Sequence, residues 1–162
     1  CTFALIGHSE RRHIFNETDA DVNRKVRAAL DAGLEPMVCV GELLEEREGG
    51  QTAQVLERQI REGLRGFPAA DFAKITIAYE PVWAIGTGKV ATPEMADDAH
   101  KIIREILKSS AGEAAAEAMP ILYGGSVKPD NIEGLYKMEN IDGVLVGGAS
   151  LESPSFLKII NV

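Results

Sequence analysis

The chain has 162 residues, 45% of them hydrophobic and 26% charged, with a formal net charge of -8. This length and hydrophobic fraction predict a single domain with a buried core over residues 1–162. The acidic balance argues against a nucleic-acid groove, and the apolar runs are too short to span a bilayer, so we expect neither nucleic acid nor a membrane as partner.

The two cysteines and the position of the first residue indicate a cellular setting and a missing upstream segment. Cys1 and Cys39 lack the spacing of a metal site or of a disulfide framework, which favours a reducing, cytoplasmic setting. Cys1 stands inside an apolar run with no polar segment before it, so we expect a missing upstream piece. The sequence predicts no cofactor and no metal.

Short apolar runs alternate with amphipathic stretches along the whole chain. Each run is too short for a helix and too apolar for a strand with one solvated face, which predicts strands buried on both faces. These runs are residues 3–7, 36–41, 75–80, 121–125 and 143–147.

The stretches between these runs show the periodicity of helices. Residues 19–34 and 51–65 repeat apolar side chains at helical spacing, and Thr92-Pro93-Glu94 is a typical helix start. A shorter helix should bury Ile132, Leu135 and Tyr136, and residues 153–162 form the last. Five strand-then-helix units predict an α/β fold with a parallel sheet.

Glu80 ends the third apolar run and opens an unusual loop. Pro81 halts the strand, the only tryptophan follows, and residues 84–88 are small and contain two glycines. A stiff start before a permissive tip is typical of a hinged lid. The order of these parts favours a catalytic base under a closing lid over the simpler alternative, an ordinary loop with an exposed glutamate.

Polar or small residues follow the other runs as well. Ligands of parallel α/β folds bind at the carboxyl ends of the strands, so these residues should converge in space. Gly124-Gly125-Ser126 and Gly147-Gly148 follow the last two runs. Free backbone N–H groups and a serine hydroxyl predict a phosphate nest there.

Four motifs in this order resemble the triosephosphate isomerase family, and the likeness extends from residue 1 to residue 162. It implies five βα units of a (β/α)8 barrel, strands 4 to 8 of the family, with the N-terminal third absent. The motifs are GHSERR at residues 7–12, YEPVWAIGTGK at 79–89, YGGSV at 123–127 and VLVGGASL at 144–151.

The resemblance also implies roles for single residues. Glu80 would be the base that moves a proton between the carbons flanking the carbonyl of a small phosphorylated triose, and His8 the neutral imidazole that polarises that carbonyl. Glu10 would help to order the site, under a lid at residues 81–91. The implied phosphate-binding residues are Gly86, Ser126, Gly147 and Gly148.

The missing units leave two functions open. In the family a lysine and an asparagine at the end of the first strand touch the substrate, and neither belongs to this part. The first possibility is an isomerase, either completed by a complementing N-terminal fragment or by a homo-oligomer, or competent by itself. The second is a catalytically incompetent half-barrel that self-associates and at most binds phosphate. Another phosphate-binding barrel is a weaker third alternative.

Overall fold

The computed structural model describes residues 1–85, 87 and 89–162. Five strands form one parallel sheet whose spatial order is the order of the chain, so every strand pairs with its sequence neighbours. This confirms the predicted α/β fold with five parallel strands. The strands are β1 (Phe3–Ile6), β2 (Glu35–Val40), β3 (Thr76–Tyr79), β4 (Ile121–Tyr123) and β5 (Gly143–Val144).

Long helices return the chain in the first three connections between strands, a short helix lies in the fourth, and further short helices lie in the loops. Thr18 caps the helix Asp19–Asp31 with its side chain. As predicted, Thr92 caps the helix Pro93–Ala111, with Pro93 in the first turn. Among the described residues the helices are α1 (Ser9–His13), α2 (Asp19–Asp31), α3 (Leu44–Glu48), α4 (Thr52–Gly63), α5 (Ala69–Phe72), α6 (Pro93–Ala111), α7 (Glu113–Ala118), α8 (Ile132–Tyr136) and α9 (Ser153–Ile160).

The hydrophobic core lies between the sheet and the helices. Val22 and Val26 of α2, Leu56 of α4 and Ile103 of α6 are fully or almost fully buried in one connected cluster, as their helical spacing predicted. Tyr136 was predicted to face inward, and that was wrong, since it is 70% exposed at the end of the short α8.

The opposite face of the sheet is less covered. Phe3 and Leu5 of β1 are 55% and 47% exposed, so the expectation that every strand is buried on both faces was wrong for β1. The cause is position: β1 and β5 form the two edges of the sheet among the residues described, and no further strand packs beside them. Among residues 1–85, 87 and 89–162, no helix is long and apolar enough to cross a bilayer.

Arg12 connects the carboxyl ends of β1 and β2. Its guanidinium donates to the Gly7 carbonyl at 2.9 Å and to the Cys39 carbonyl at 3.1 Å, and it pairs with Asp19 at 2.6 Å. Gly7 has a φ of 73°, a left-handed conformation that side chains disfavour. The turn at Gly7 and the Arg12 contacts place His8 directly above the sheet.

His100 of α6 is a fully buried histidine behind the sheet. Its Nδ1–H donates to the Asn140 carbonyl at 3.2 Å, and its ring lies edge-on to Tyr79 at 5.7 Å between centroids. Its Nε2 has no hydrogen-bond partner among the described residues. Burial lowers the pKa of His100 from 6.5 to about 4, so the folded protein holds it neutral.

We expect His100 to make stability depend on pH. The unfolded chain binds this proton near pH 6.5 and the folded chain only near pH 4, so its contribution is full above 6.5 and is lost as the pH falls. From about pH 7 to about pH 4, the free energy of unfolding should fall by about 3 kcal/mol more in the wild type than in His100→Gln. Urea unfolding at each pH measures this.

His13→Gln is the control for that experiment, because His13 is exposed at the end of α1. This variant should keep the wild-type pH dependence. Equal pH slopes in the wild type and in His100→Gln would contradict the assignment of a neutral, buried His100.

Candidate active site

Glu80 follows β3 directly and lies buried at the carboxyl end of the sheet. Its Oε2 accepts a hydrogen bond from the Ser9 backbone N–H at 2.9 Å, and its Oε1 lies 3.1 Å from His8 Nε2. Both donors come from the loop after β1, so β1 and β3 supply the site together across β2. Burial raises the pKa of the Glu80 carboxyl, which strengthens it as a base once it is ionised.

His8 is the N-cap residue of α1 and half-buried. Its Nδ1 accepts from the Glu10 backbone N–H at 3.3 Å, so in the neutral ring the proton sits on Nε2. Nε2–H then faces the Glu80 carboxylate. A neutral imidazole with an outward N–H can donate a hydrogen bond to a ligand carbonyl oxygen as well as to a carboxylate.

Two glycines make room for Glu80. A Cβ on Gly41, just after β2, would lie 1.7 Å from the Glu80 carbonyl oxygen, and one on Gly124 would lie 3.0 Å from Glu80 Cγ. The buried Cys39 thiol lies close to the same carboxylate, and burial raises its pKa well above the ordinary value. Cys39 therefore stays a protonated core residue, in line with its small, buried character.

A second buried carboxylate, Glu42, anchors the start of the predicted lid. It accepts hydrogen bonds from the Tyr79 hydroxyl, from Trp83 Nε1 and from Arg47, all at about 3.0 Å. Trp83 belongs to a single 3₁₀ turn, Val82–Ala84, and the Arg47 guanidinium lies 4.9 Å from its ring centroid. The first part of the loop is thus fixed by charge-assisted hydrogen bonds.

A cavity of about 500 Å³ opens beside Glu80. Around Gly147 and Gly148 it is roomy, since a Cβ on either residue would meet no atom within 4 Å. Among the described residues, no acceptor is found for the backbone N–H groups of Ser126, Gly147 and Gly148. The cavity lining comprises Leu5, His8, Glu80, Ile85, Gly124, Gly125, Ser126, Val127, Lys128, Leu145, Val146, Gly147, Gly148 and Ala149.

Most of the residues predicted for the site line this one cavity: His8, Glu80, Ser126, Gly147 and Gly148. Their roles in binding or catalysis remain predictions.

Two predicted site residues lie elsewhere. Glu10 is exposed on α1, and its carboxylate has no hydrogen bond within the part of the chain that the structure describes. Its contact with the site is made by its backbone N–H alone. Gly86, predicted on the lid, lies outside the described residues.

Sequence reasoning missed three residues at the site. Ser9 donates its backbone N–H to Glu80, Lys128 brings a positive charge to the cavity lining, and Asn131 binds the backbone on both sides of Val127. Lys128 had a visible signal, a basic residue two positions after a predicted phosphate-binding serine. Backbone donors such as Ser9 leave no signal in residue types.

No cluster of three or more histidine, cysteine, aspartate or glutamate side chains suited to a metal ion occurs among residues 1–85, 87 and 89–162.

A family model described as triosephosphate isomerase matches residues 1–162. A triosephosphate isomerase from Solibacter usitatus is 59% identical over 97% of this chain and 63% of its own length. The corresponding protein from Treponema denticola is 59% identical over 96% of this chain and 62% of its own. The triosephosphate isomerase from Fusobacterium nucleatum is 54% identical over 99% of this chain and 64% of its own length. The chain thus spans less than two thirds of the length of these relatives.

We expect Gly41→Ala to destabilise the protein strongly, because the new methyl group would overlap the Glu80 backbone carbonyl. The free energy of unfolding should fall by at least about 3 kcal/mol in urea titrations. Gly148→Ala adds the same methyl group where it meets no atom, and it should retain wild-type stability. A Gly41→Ala protein as stable as the wild type would contradict this packing.

Proposed function

We propose that this chain, which belongs to the triosephosphate isomerase family, supplies the acid–base and phosphate-binding residues of an isomerase. The reaction is the interconversion of glyceraldehyde 3-phosphate and dihydroxyacetone phosphate. One observation carries the proposal: a buried glutamate and a histidine with an outward N–H lie at a cavity that a glycine-rich nest also lines. We further propose that residues 1–162 form a single domain and that the protein works in the cytoplasm.

Glu80 acts as the base in this proposal. Both of its oxygens are occupied here, by the Ser9 N–H and by His8 Nε2, so a bound substrate must take the place of at least one of these donors. The carboxylate then removes a proton from one carbon beside the substrate carbonyl and returns it to the other carbon. Its raised pKa serves both steps, since the same group must accept and release the proton.

His8 serves as the electrophile. With its ring proton on Nε2, it donates a hydrogen bond to the carbonyl oxygen while negative charge builds there in the enediolate. A neutral imidazole suits this step, and triosephosphate isomerase is itself the standard example of an enzyme that uses a neutral histidine in this role. The donated hydrogen bond needs no change in the ring's protonation state.

The substrate phosphate would lie at the glycine-rich part of the cavity lining. The N–H groups of Ser126, Gly147 and Gly148 are its proposed donors, and Gly86 of the lid is a further one by resemblance. Closure of the lid at residues 81–91 over the rigid Glu42–Trp83 anchor would exclude water and protect the enediolate. Glu10 would order the loop that carries His8.

We also propose that β1 to β5 correspond to the fourth to eighth strands of a (β/α)8 barrel. Phosphate sites of such barrels form at the loops after the last two strands, beside a short extra helix. Here the open glycine nest follows β4 and β5, and a short 3₁₀ turn, Gly148–Leu151, comes next. Three further units would then precede β1 and join its exposed edge to that of β5.

A second candidate function is a half-barrel without catalysis that binds itself. It is favoured by the exposed apolar side chains of β1, Phe3 and Leu5, because an uncovered strand edge can pair with another copy. Such a protein would retain the glycine nest and at most bind phosphate.

The test has two arms. This chain is co-expressed with the first third of the Solibacter usitatus relative in one arm, and with its last third in the other. We expect isomerase turnover only with the first third, because those units precede β1 in the proposed placement. Turnover with the last third alone would overturn the placement. Folded assemblies without turnover in both arms would overturn the function and leave the half-barrel.

In the active assembly, Glu80→Gln should lower kcat by at least about 10³-fold, because the amide cannot accept the substrate proton. Glu133→Gln is its control, since Glu133 is exposed on α8 and pairs only with Lys137 among the described residues. A Glu80→Gln enzyme with more than about a tenth of wild-type kcat would remove Glu80 from the role of base.

Gly148→Ala tests the phosphate nest. The added methyl group occupies open cavity space, so KM and the Kd for inorganic phosphate should rise about tenfold while the unfolding free energy stays unchanged. Steady-state kinetics and calorimetric titration measure these effects. Unchanged KM and Kd would place the phosphate elsewhere.

A further inference from the structure

We propose that Asn131 is a positioning residue for the phosphate side of the cavity. Its side-chain amide holds the loop Ser126–Val127–Lys128 in one conformation, and through this loop it sets the direction of the Ser126 donors. The inference deepens the proposed function and rests on it.

Both ends of the Asn131 amide are used on this loop. Oδ1 accepts a hydrogen bond from the Lys128 backbone N–H at 2.8 Å, and Nδ2 donates to the Ser126 carbonyl at 2.8 Å. The backbone adds two more contacts, because the N–H groups of Asn131 and Ile132 donate to the Lys128 carbonyl at 3.2 and 3.1 Å. Four hydrogen bonds thus hold Ser126 and Lys128, the two ends of this three-residue segment.

The direction of this side chain is informative. Asn131 stands at the N-cap position of α8, where an asparagine side chain usually accepts from the first N–H groups of its own helix. Here it makes no such capping bond and reaches back to the preceding loop. The capping capacity of Asn131 is therefore used to order the loop.

The loop that it orders is part of the cavity. Ser126, Val127 and Lys128 line it, whereas Asn131 itself does not, so Asn131 acts on a ligand only through these residues. With its carbonyl bound by Asn131, Ser126 keeps a backbone N–H without an acceptor among the described residues. Lys128 adds the cationic residue of the lining, and its backbone is fixed from both sides.

A preformed loop lowers the entropy lost when an anion binds. Without the amide, Ser126 and Lys128 would sample several conformations, and a bound phosphate would have to order them. The effect should appear in ligand affinity more than in the chemical step, because Glu80 is held by Ser9 and His8, and neither partner bonds to Asn131.

Asn131→Ala in the complemented assembly tests the inference. KM and the calorimetric Kd for inorganic phosphate should each rise about tenfold, with kcat within about twofold of the wild type. A matched control is Asn23→Ala, since the Asn23 amide likewise donates to backbone carbonyls, those of Glu62, Gly63 and Arg65, but lies away from the cavity. It should lower the melting temperature and leave KM and Kd unchanged.

The outcomes separate this inference from the proposed function. An Asn131→Ala protein that loses thermal stability but keeps wild-type KM and Kd overturns the inference alone. A wild-type assembly that binds phosphate without turnover overturns the proposed function, and the phosphate Kd of Asn131→Ala still decides the inference. A wild type with neither turnover nor phosphate binding overturns both.

Discussion

The structure depends on one constraint, the burial of the Glu80 carboxylate at the end of β3. A buried carboxylate is costly unless donors replace its water, and here the Ser9 N–H and His8 Nε2 do so. These donors belong to the loop after β1, two strands away, so the parallel register of three strands must be maintained. Gly41, just after the intervening strand, leaves the space that this arrangement needs.

The same end of the sheet holds a second buried carboxylate with the opposite character. Glu42 binds three donors at once and lies under Trp83, so it is immobilised and fixes the start of the loop after Glu80. Among the described residues Glu80 has two nitrogen donors, and an open cavity lies beside it. One carboxylate therefore stabilises the frame, while the other keeps the freedom to exchange partners that the proposed proton transfer requires.

Much of the fold could be predicted from the sequence, because strand and helix periodicity depends on which residues face the core. The five strands, their parallel order and the buried faces of α2, α4 and α6 follow from that pattern. The two errors have separate causes. Burial on both faces of β1 failed because β1 is an edge, and the inward Tyr136 failed because α8 ends at that residue. Neighbours outside the local pattern decide such positions.

The amino-acid order alone places reactive side chains at the strand ends, and with them come the family resemblance and the residue types of the site. How these side chains meet follows from the folding of the chain. It placed the ring proton of His8 on Nε2 through the Glu10 N–H, left the Glu10 carboxylate in solvent, and brought in the Ser9 backbone and the Asn131 amide. The physical reason is that hydrogen-bond partners distant in sequence, and backbone groups of any residue type, become visible only when the chain is folded.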